Sequence, residues 1–384
     1  MTDQTERLSQ PAERSAERRE RYLLDLPFLL LTIVLVAVGL IMMYSASYAR
    51  AYQEEAGNGA FYFLRQGGFA VVGILVMLLV SRVNFLFWRR FAFWILAASV
   101  LLLLLVPVIG VGAGGAKRWL SLFGITFQPS EIAKLGVVLT YAAMISTLKD
   151  KMKTFRYGVL PFVLILLVIV GLLALEPHLS AIIIICATGA ALMFLGGTSG
   201  KWFLALGVAA VVFVVGYLAL RGYANDRITA WLHPEEYAQT KGYQILQSLY
   251  AIGSGGLFGL GFGKSRQKYL YLPEEHNDYI FSVVCEELGF VGAALIIILF
   301  ALLIIRGYWI AMHAPDRFSA LVAAGLSTLL ALQVGLNIGV VTNVLPATGI
   351  SLPFFSYGGT ALLLQLFEMG IILNISRNAR NNLL

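Results

Sequence analysis

The chain has 384 residues, 59% of them hydrophobic and only 13% charged, with a mean hydropathy of +0.81. Soluble domains carry about 25% charged residues, so this composition excludes one and points to an all-α, polytopic membrane protein. The net charge of +7 reads as the cytoplasmic bias of Lys and Arg in membrane proteins, not as a nucleic-acid surface.

Residues 1–21 are polar, rich in Arg and Glu, and without apolar periodicity, so they read as a disordered cytoplasmic tail. Residues 22–384 read as one transmembrane domain. Its apolar runs predict ten helices, over about 23–44, 62–80, 85–106, 130–148, 157–175, 179–195, 201–220, 279–305, 318–341 and 357–376. The first is long for a signal-peptide core and no small-residue cleavage site follows it, so it reads as retained. Ten helices return both termini to one side. Seventeen Lys and Arg fall on that side and ten on the other, six of these in one long loop. Both termini are therefore expected in the cytoplasm. Cys186 and Cys285 lie in apolar runs and read as small core residues, with no disulfide or metal spacing.

Three connections stand out on the opposite side. The first, 107–129, contains GAGGAKRWLSLFGITFQPSE. Its Gly and Pro argue against a simple helix, and its aromatic and aliphatic residues suit the headgroup zone. Lys117 and Arg118 would then face anionic headgroups. Pro129 and Ser130 open the next helix with Glu131 in its first turn. Glu131 and Lys134, three residues apart, can pair on one helix face. Such a pair in a membrane helix reads either as the lining of a cavity or as a structural tie. Between the fifth and sixth helices, Glu176-Pro177-His178 forms a polar turn. His178 reads equally as a cap or as a substrate-facing group.

The second connection, about 221–278 between the seventh and eighth helices, is long enough to carry function. Its first half is amphipathic and aromatic and suits short helices lying on the membrane. Its centre, AIGSGGLFGLGFGKS, leaves three residues between Gly259 and Gly263 before Lys264-Ser265, where a P-loop needs four, and has no GxGxxG. Nucleotide binding is rejected, leaving a flexible, tightly folded loop beside Lys264, Arg266 and Lys268. The stretch then continues to Asp278 at the lip of the next helix, where a carboxylate is costly to desolvate and usually marks function. The third connection, NVLPATGISLPFFSYGGT, breaks helicity with Pro and Gly. Such backbone is tolerated at membrane depth only against protein or a wet cavity, so it is expected to line the same cavity.

A carboxylate beside several cations suits proton removal from a hydroxyl that attacks a donor with a phosphate leaving group. No Ser-His-Asp order and no zinc spacing is present. From the residues alone, the chemistry stops at a transferase or transporter acting on an anionic lipid.

The segments GAKRWLSLFGITFQPSEIAK, GYQILQSLYAIGSGGLFGLGFGKSRQKYLYLPEEHNDYIFSVVCEELG and LPATGISLPFFSYGGT resemble the SEDS family, the FtsW, RodA and SpoVE group. The resemblance runs from about Leu24 to Arg377, and its motifs are more similar to the cell-division branch than to the elongation branch. It implies a peptidoglycan glycosyltransferase that polymerises lipid II outside the cytoplasmic membrane during septal cell-wall synthesis. It also implies a class B penicillin-binding transpeptidase and other divisome membrane proteins as partners, and a divalent cation, Mg or Mn, as cofactor. Asp278 falls on the family's essential acidic position and is carried over as the general base. Lys117, Arg118, Gln128, Ser130, Glu131, Lys134, Gln247, Ser254, Gln267, Lys268, Glu274 and His276 fall on its polar motif positions and are carried over as substrate-binding. Lys264 is added as a group for the pyrophosphate or sugar. At His178, many relatives carry Asp instead. A lipid II flippase, or a sporulation or elongation paralogue, is the alternative reading.

Overall fold

In the computed structural model, residues 24–113, 116–176, 178–205, 207, 229–240 and 242–378 are described. The tail over 1–21 lies outside these residues, as does most of the helix expected over 201–220 and the segment 208–228. A small sheet and the longer α-helices organise the described chain: α1 (Leu26–Glu54), α2 (Phe61–Val80), α3 (Phe85–Ile109), β1 (Val111–Ala113), β2 (Ala116–Leu122), β3 (Ile125–Phe127), α4 (Pro129–Leu148), α5 (Leu160–Leu175), α6 (Leu179–Leu195), α7 (Tyr243–Gly255), α8 (Ile280–Met312), α9 (Arg317–Val341) and α10 (Gly359–Arg377). Eight described helices, α1–α5 and α8–α10, are long and apolar enough to cross a membrane, α5 together with the turn before it. Nine of the ten expected helices are thus in place, with α6 a shorter apolar helix of 17 residues. The chain is a multi-pass membrane protein.

α4 and α9 are the most enclosed helices, and the others pack around them. α10 lies along α2, α3 along α4, and α8 between α1 and α9. Small residues set the closest approaches, as expected where lipid offers no hydrophobic drive to association. A side chain at Gly136 of α4 would stand 3.1 Å from the Leu96 Cα of α3. Apolar residues left on the outside, such as Leu64, Leu75 and Leu79, suit contact with lipid. At the end away from the sheet, Asp25 caps α1 by accepting from the Phe28 amide, and it takes a bidentate pair with Arg306 at 2.8–3.1 Å.

Two connections depart from the expected loops. Residues 111–113, 116–122 and 125–127 form an antiparallel three-stranded sheet, with Phe123 exposed at the turn between β2 and β3. The glycine-rich centre of the long connection is partly helical and tightly docked. Residues 243–255 are helical as α7, and the rest is docked onto a break in α8. Gly289 interrupts α8 with φ 67 and ψ −169, a conformation open only to glycine. The break frees backbone groups, and the glycine segment satisfies them. Leu260 and Gly261 amides donate to the Glu286 and Glu287 carbonyls at 2.9 and 3.0 Å, while Phe290 and Val291 amides donate to the Gly256 and Leu257 carbonyls at 2.9 and 3.1 Å. A Cβ at Gly259 would overlap the Glu287 carbonyl. The glycines therefore serve close backbone approach.

The same docking buries two carboxylates. Glu286 accepts from the Ser265 hydroxyl at 2.5 Å and the Arg266 amide at 2.9 Å. Glu287 pairs with the Lys268 Nζ at 2.8 Å and accepts from the Ser45 hydroxyl at 2.7 Å. Ser45, Ser265, Lys268, Glu286 and Glu287 are all buried; Lys268 compensates the Glu287 charge, and hydroxyl and amide donors hold Glu286.

Candidate active site

The sheet, the α5–α6 turn, the 274–278 turn and the 343–358 segment converge on one cavity of about 760 Å³. That is the size of an ordinary small-molecule site. Its floor is the N-terminal part of α4, where Lys134 Nζ sits 2.6 Å from Glu131 Oε2. The sheet brings Arg118, Trp119 and Thr126, and Gln128 follows it at the start of α4. Arg118 lines the cavity, whereas Lys117 is exposed and reaches the Pro107 carbonyl at 3.5 Å.

Asp278 reaches the opposite wall, one residue before Tyr279 caps α8. The 343–358 segment fixes it there. Asn337 donates to the Asp278 carbonyl and to the Ile350 carbonyl, Ser356 donates to the Asn277 carbonyl at 2.7 Å, and the Tyr357 amide donates to the His276 carbonyl at 2.9 Å. Gly349, at φ 68, lets the chain pass beside the Asp278 carboxyl. The expectation that the third connection shares the cavity is met, since Gly349, Ser351, Tyr357 and Thr360 all line it.

The local field suits a base. Burial, and then the Glu274 carboxylate, push the Asp278 carboxyl up to about 6, against the opposing pull of Arg118 and His276. It is still largely ionised near neutral pH and poised for proton transfer there. His178 has the reverse problem. Burial, Arg118 and Lys134 push its ring down to about 4, so it is neutral. Its Nδ1 accepts from the Ala181 amide at 3.0 Å and caps α6. The ring proton is therefore on Nε2, which lies 2.6 Å from the Gln128 amide, and the Gln128 oxygen is the atom able to accept there. His178 thus both caps a helix and faces the cavity. Beside it, burial pushes the Glu176 carboxyl up to about 7, partly offset by Arg118.

Of the residues carried over from the motifs, the cavity gathers Asp278, Arg118, Gln128, Glu131, Lys134 and Glu274. It does not include the others. Ser130 is buried under the α4 N-terminus. Gln247 and Ser254 lie on α7, where Ser254 donates to the Ala251 carbonyl. Lys264 is exposed on the glycine segment, and the Gln267 amide and Lys268 belong to the buried cluster around Glu286 and Glu287. His276 packs its ring on Tyr62.

The cavity also contains groups that motif reading passed over. Arg65, one turn into α2, lines it and hydrogen-bonds Tyr357. The signal was present, because an arginine inside an apolar helix is functional by default. Asn277, Gln333 and Thr360 carried no comparable signal.

An ionisable cavity at one end of a helix bundle, walled by four connections and floored by the Glu131–Lys134 ion pair, defines a multi-pass membrane protein with a polar, charged site. Residues 26–381 match the Cell cycle protein family, FTSW_RODA_SPOVE, and the chain belongs to it. It is 40% identical to the probable peptidoglycan glycosyltransferase FtsW of Trichlorobacter lovleyi over 92% of this chain and 93% of that one. It is 38% identical to stage V sporulation protein E of Bacillus subtilis over 93% and 98%. Among solved structures, a chain of a peptidoglycan synthase complex that coordinates polymerization and crosslinking superposes with a TM-score of 0.79 at 28% identity, covering 94% of this chain and 99% of that one. The rod shape determining protein RodA of Thermus thermophilus superposes at 0.68 and 29%, with the same coverage.

Proposed function

We propose that the chain is a peptidoglycan glycosyltransferase that polymerises lipid II at the outer face of the cytoplasmic membrane, in septal cell-wall synthesis. The observation that carries this is Asp278, a carboxylate lifted to about 6, in a cavity shared with Arg65, Arg118 and Lys134. The acceptor sugar hydroxyl attacks the anomeric carbon of the donor, Asp278 takes the hydroxyl proton, and the bond to the pyrophosphate breaks. Arg118 and Lys134 face the charge that develops on the leaving group. Glu131 holds Lys134 in reach of it.

The cavity suits a divalent cation. Among the described residues no group of three or more His, Cys, Asp and Glu forms a closed metal site. Glu274 and Asp278 nevertheless line the cavity together and feel each other's charge. Mg²⁺ is commonly held by one or two carboxylates with substrate phosphates completing its shell, and Glu274 would hold it, leaving Asp278 to act as the base. When bound, the ion neutralises pyrophosphate charge.

Purified protein supplied with lipid II and Mg²⁺ or Mn²⁺ is expected to form glycan chains. Asp278→Asn is expected to form none while remaining folded, and polymerisation by that variant would remove Asp278 as the base. Flipping of labelled lipid II by Asp278→Asn would favour a transporter. A class B penicillin-binding transpeptidase and other divisome proteins are the proposed partners, tested by co-purification and by mid-cell enrichment of a tagged copy.

A further inference from the structure

The turn that carries Asp278 has two sides. Glu274, Asn277 and Asp278 face the cavity. Glu275 and His276 face the other way, into a closed ring of side chains supplied by α1 and α2. Arg50 of α1 meets Glu275 with both arms of its fork, Nε to Oε1 at 2.8 Å and Nη2 to Oε2 at 2.9 Å. Glu275 is fully buried, and its Oε1 lies 3.5 Å from His276 Nδ1. The His276 ring stacks on Tyr62 of α2, with centroids 5.2 Å apart and planes 22° apart. Tyr62 donates to Glu54 at 2.7 Å, and Glu54 returns to Arg50 at 3.9 Å.

We propose that Arg50 and Tyr62 are positioning residues for Asp278, acting through Glu275 and His276 from outside the cavity. Three features favour positioning over general stability. Glu274 sits at φ 56, so the turn is held in a left-handed conformation that a non-glycine residue resists. The chain from Gly256 to Asp278 has no helix or strand to fix the turn. The ring anchors it on one side while Asn337, Ser356 and Tyr357 anchor it on the other. Asp278 is two residues from His276, so slack in the ring displaces the carboxylate directly. A planar, two-point fork gives an orientation that a single ammonium cannot.

The test rests on the polymerase reading, and its arms separate the two. Wild-type protein that forms no glycan sinks that reading alone, because amide exchange at residues 274–279 still reads the clamp. Arg50→Met is expected to speed exchange there and to lower kcat about 10–100-fold, the scale of a roughly 1 Å misplacement, with KM for lipid II within about threefold. Arg50→Lys is expected to recover only a minor part of kcat. Tyr62→Phe, which keeps the stacked ring and loses the bond to Glu54, is expected to cost a few-fold. The swap Arg50→Glu with Glu275→Arg is expected to exceed either single variant in kcat. Wild-type kcat and exchange in Arg50→Lys overturn the proposal, whether or not Arg50→Met folds. So does a raised KM at unchanged kcat, which would place Arg50 in substrate binding.

Discussion

Asn337 donates to two backbone carbonyls at once, that of Asp278 at 2.8 Å and that of Ile350 at 2.6 Å. One buried amide on α9 thereby ties the turn bearing the proposed base to the segment that closes the cavity. Asn337→Leu leaves both carbonyls without that donor, at about 1–3 kcal/mol each where no water replaces it. Glycan synthesis is expected to fall at least tenfold, with a lower melting temperature in detergent. Asn337→Asp presents acceptors where donors are needed and is expected to be worse than Leu. Equal activity in all three proteins would show that the tie is unimportant.

The raised carboxyl of Asp278 fixes a pH dependence. The base must be ionised, so kcat/KM is expected to fall as pH drops through about 6, one proton per turnover-competent site. The same group opposes folding. An unfolded aspartate titrates near 3.9, so between about 4 and 6 the folded chain binds more protons than the unfolded one. Stability therefore declines as pH rises across that window, and the loss persists above it. Asp278→Asn removes the cost and is expected to be inactive yet more stable at pH 7.5, by on the order of 1–3 kcal/mol. A differential scan of both proteins at pH 4.5 and 7.5 checks this, with the gap expected only at the higher pH.

Lys268 separates motif reading from geometry. Its position in a polar run suggests a substrate group, but its Nζ is buried against Glu287 and Ser45. Lys268→Met strands the Glu287 charge, and removing one partner of a buried pair costs about 3–5 kcal/mol. The expected phenotype is a large loss of thermal stability with KM for lipid II unchanged in the surviving protein. Adding Glu287→Gln is expected to restore much of the stability. A KM effect without a stability effect would return Lys268 to the substrate.

These cases show which features are legible in the chain. Apolar runs about 20 residues long announce themselves, because a bilayer fixes their length, and the helices around Leu26, Phe85 and Arg317 fall where the runs do. Asp278 is legible for the converse reason, since a charge at a membrane lip needs a purpose. The facing of short polar motifs is not legible. Lys117 and Arg118 are neighbours in sequence, yet only Arg118 lines the cavity. Lys264, Gln267 and Lys268 lie within 14 residues of Asp278, yet the break at Gly289 folds their segment onto the far side of α8. Arg50 and Glu275 are 225 residues apart, and nothing local marks either as the other's partner.

Gly349 offers a test confined to the catalytic geometry. Its φ of 68 disfavours any side chain, and a Cβ there would stand 3.1 Å from Asp278 Oδ2. The left-handed conformation costs alanine about 1–2 kcal/mol, which a bundle of this size tolerates. The contact, in contrast, falls on one carboxylate oxygen, which must shift by a few tenths of an ångström or turn. Gly349→Ala is therefore expected to insert, fold and bind lipid II while its kcat drops about tenfold or more, since misaimed catalytic groups lose rate before affinity. Gly335→Ala serves as the control, because a Cβ on that α9 glycine meets nothing within 4 Å. If the two substitutions lower kcat equally, the approach of the 343–358 segment to Asp278 has no part in catalysis. If only Gly349→Ala is slow, the backbone beside the carboxylate sets its aim.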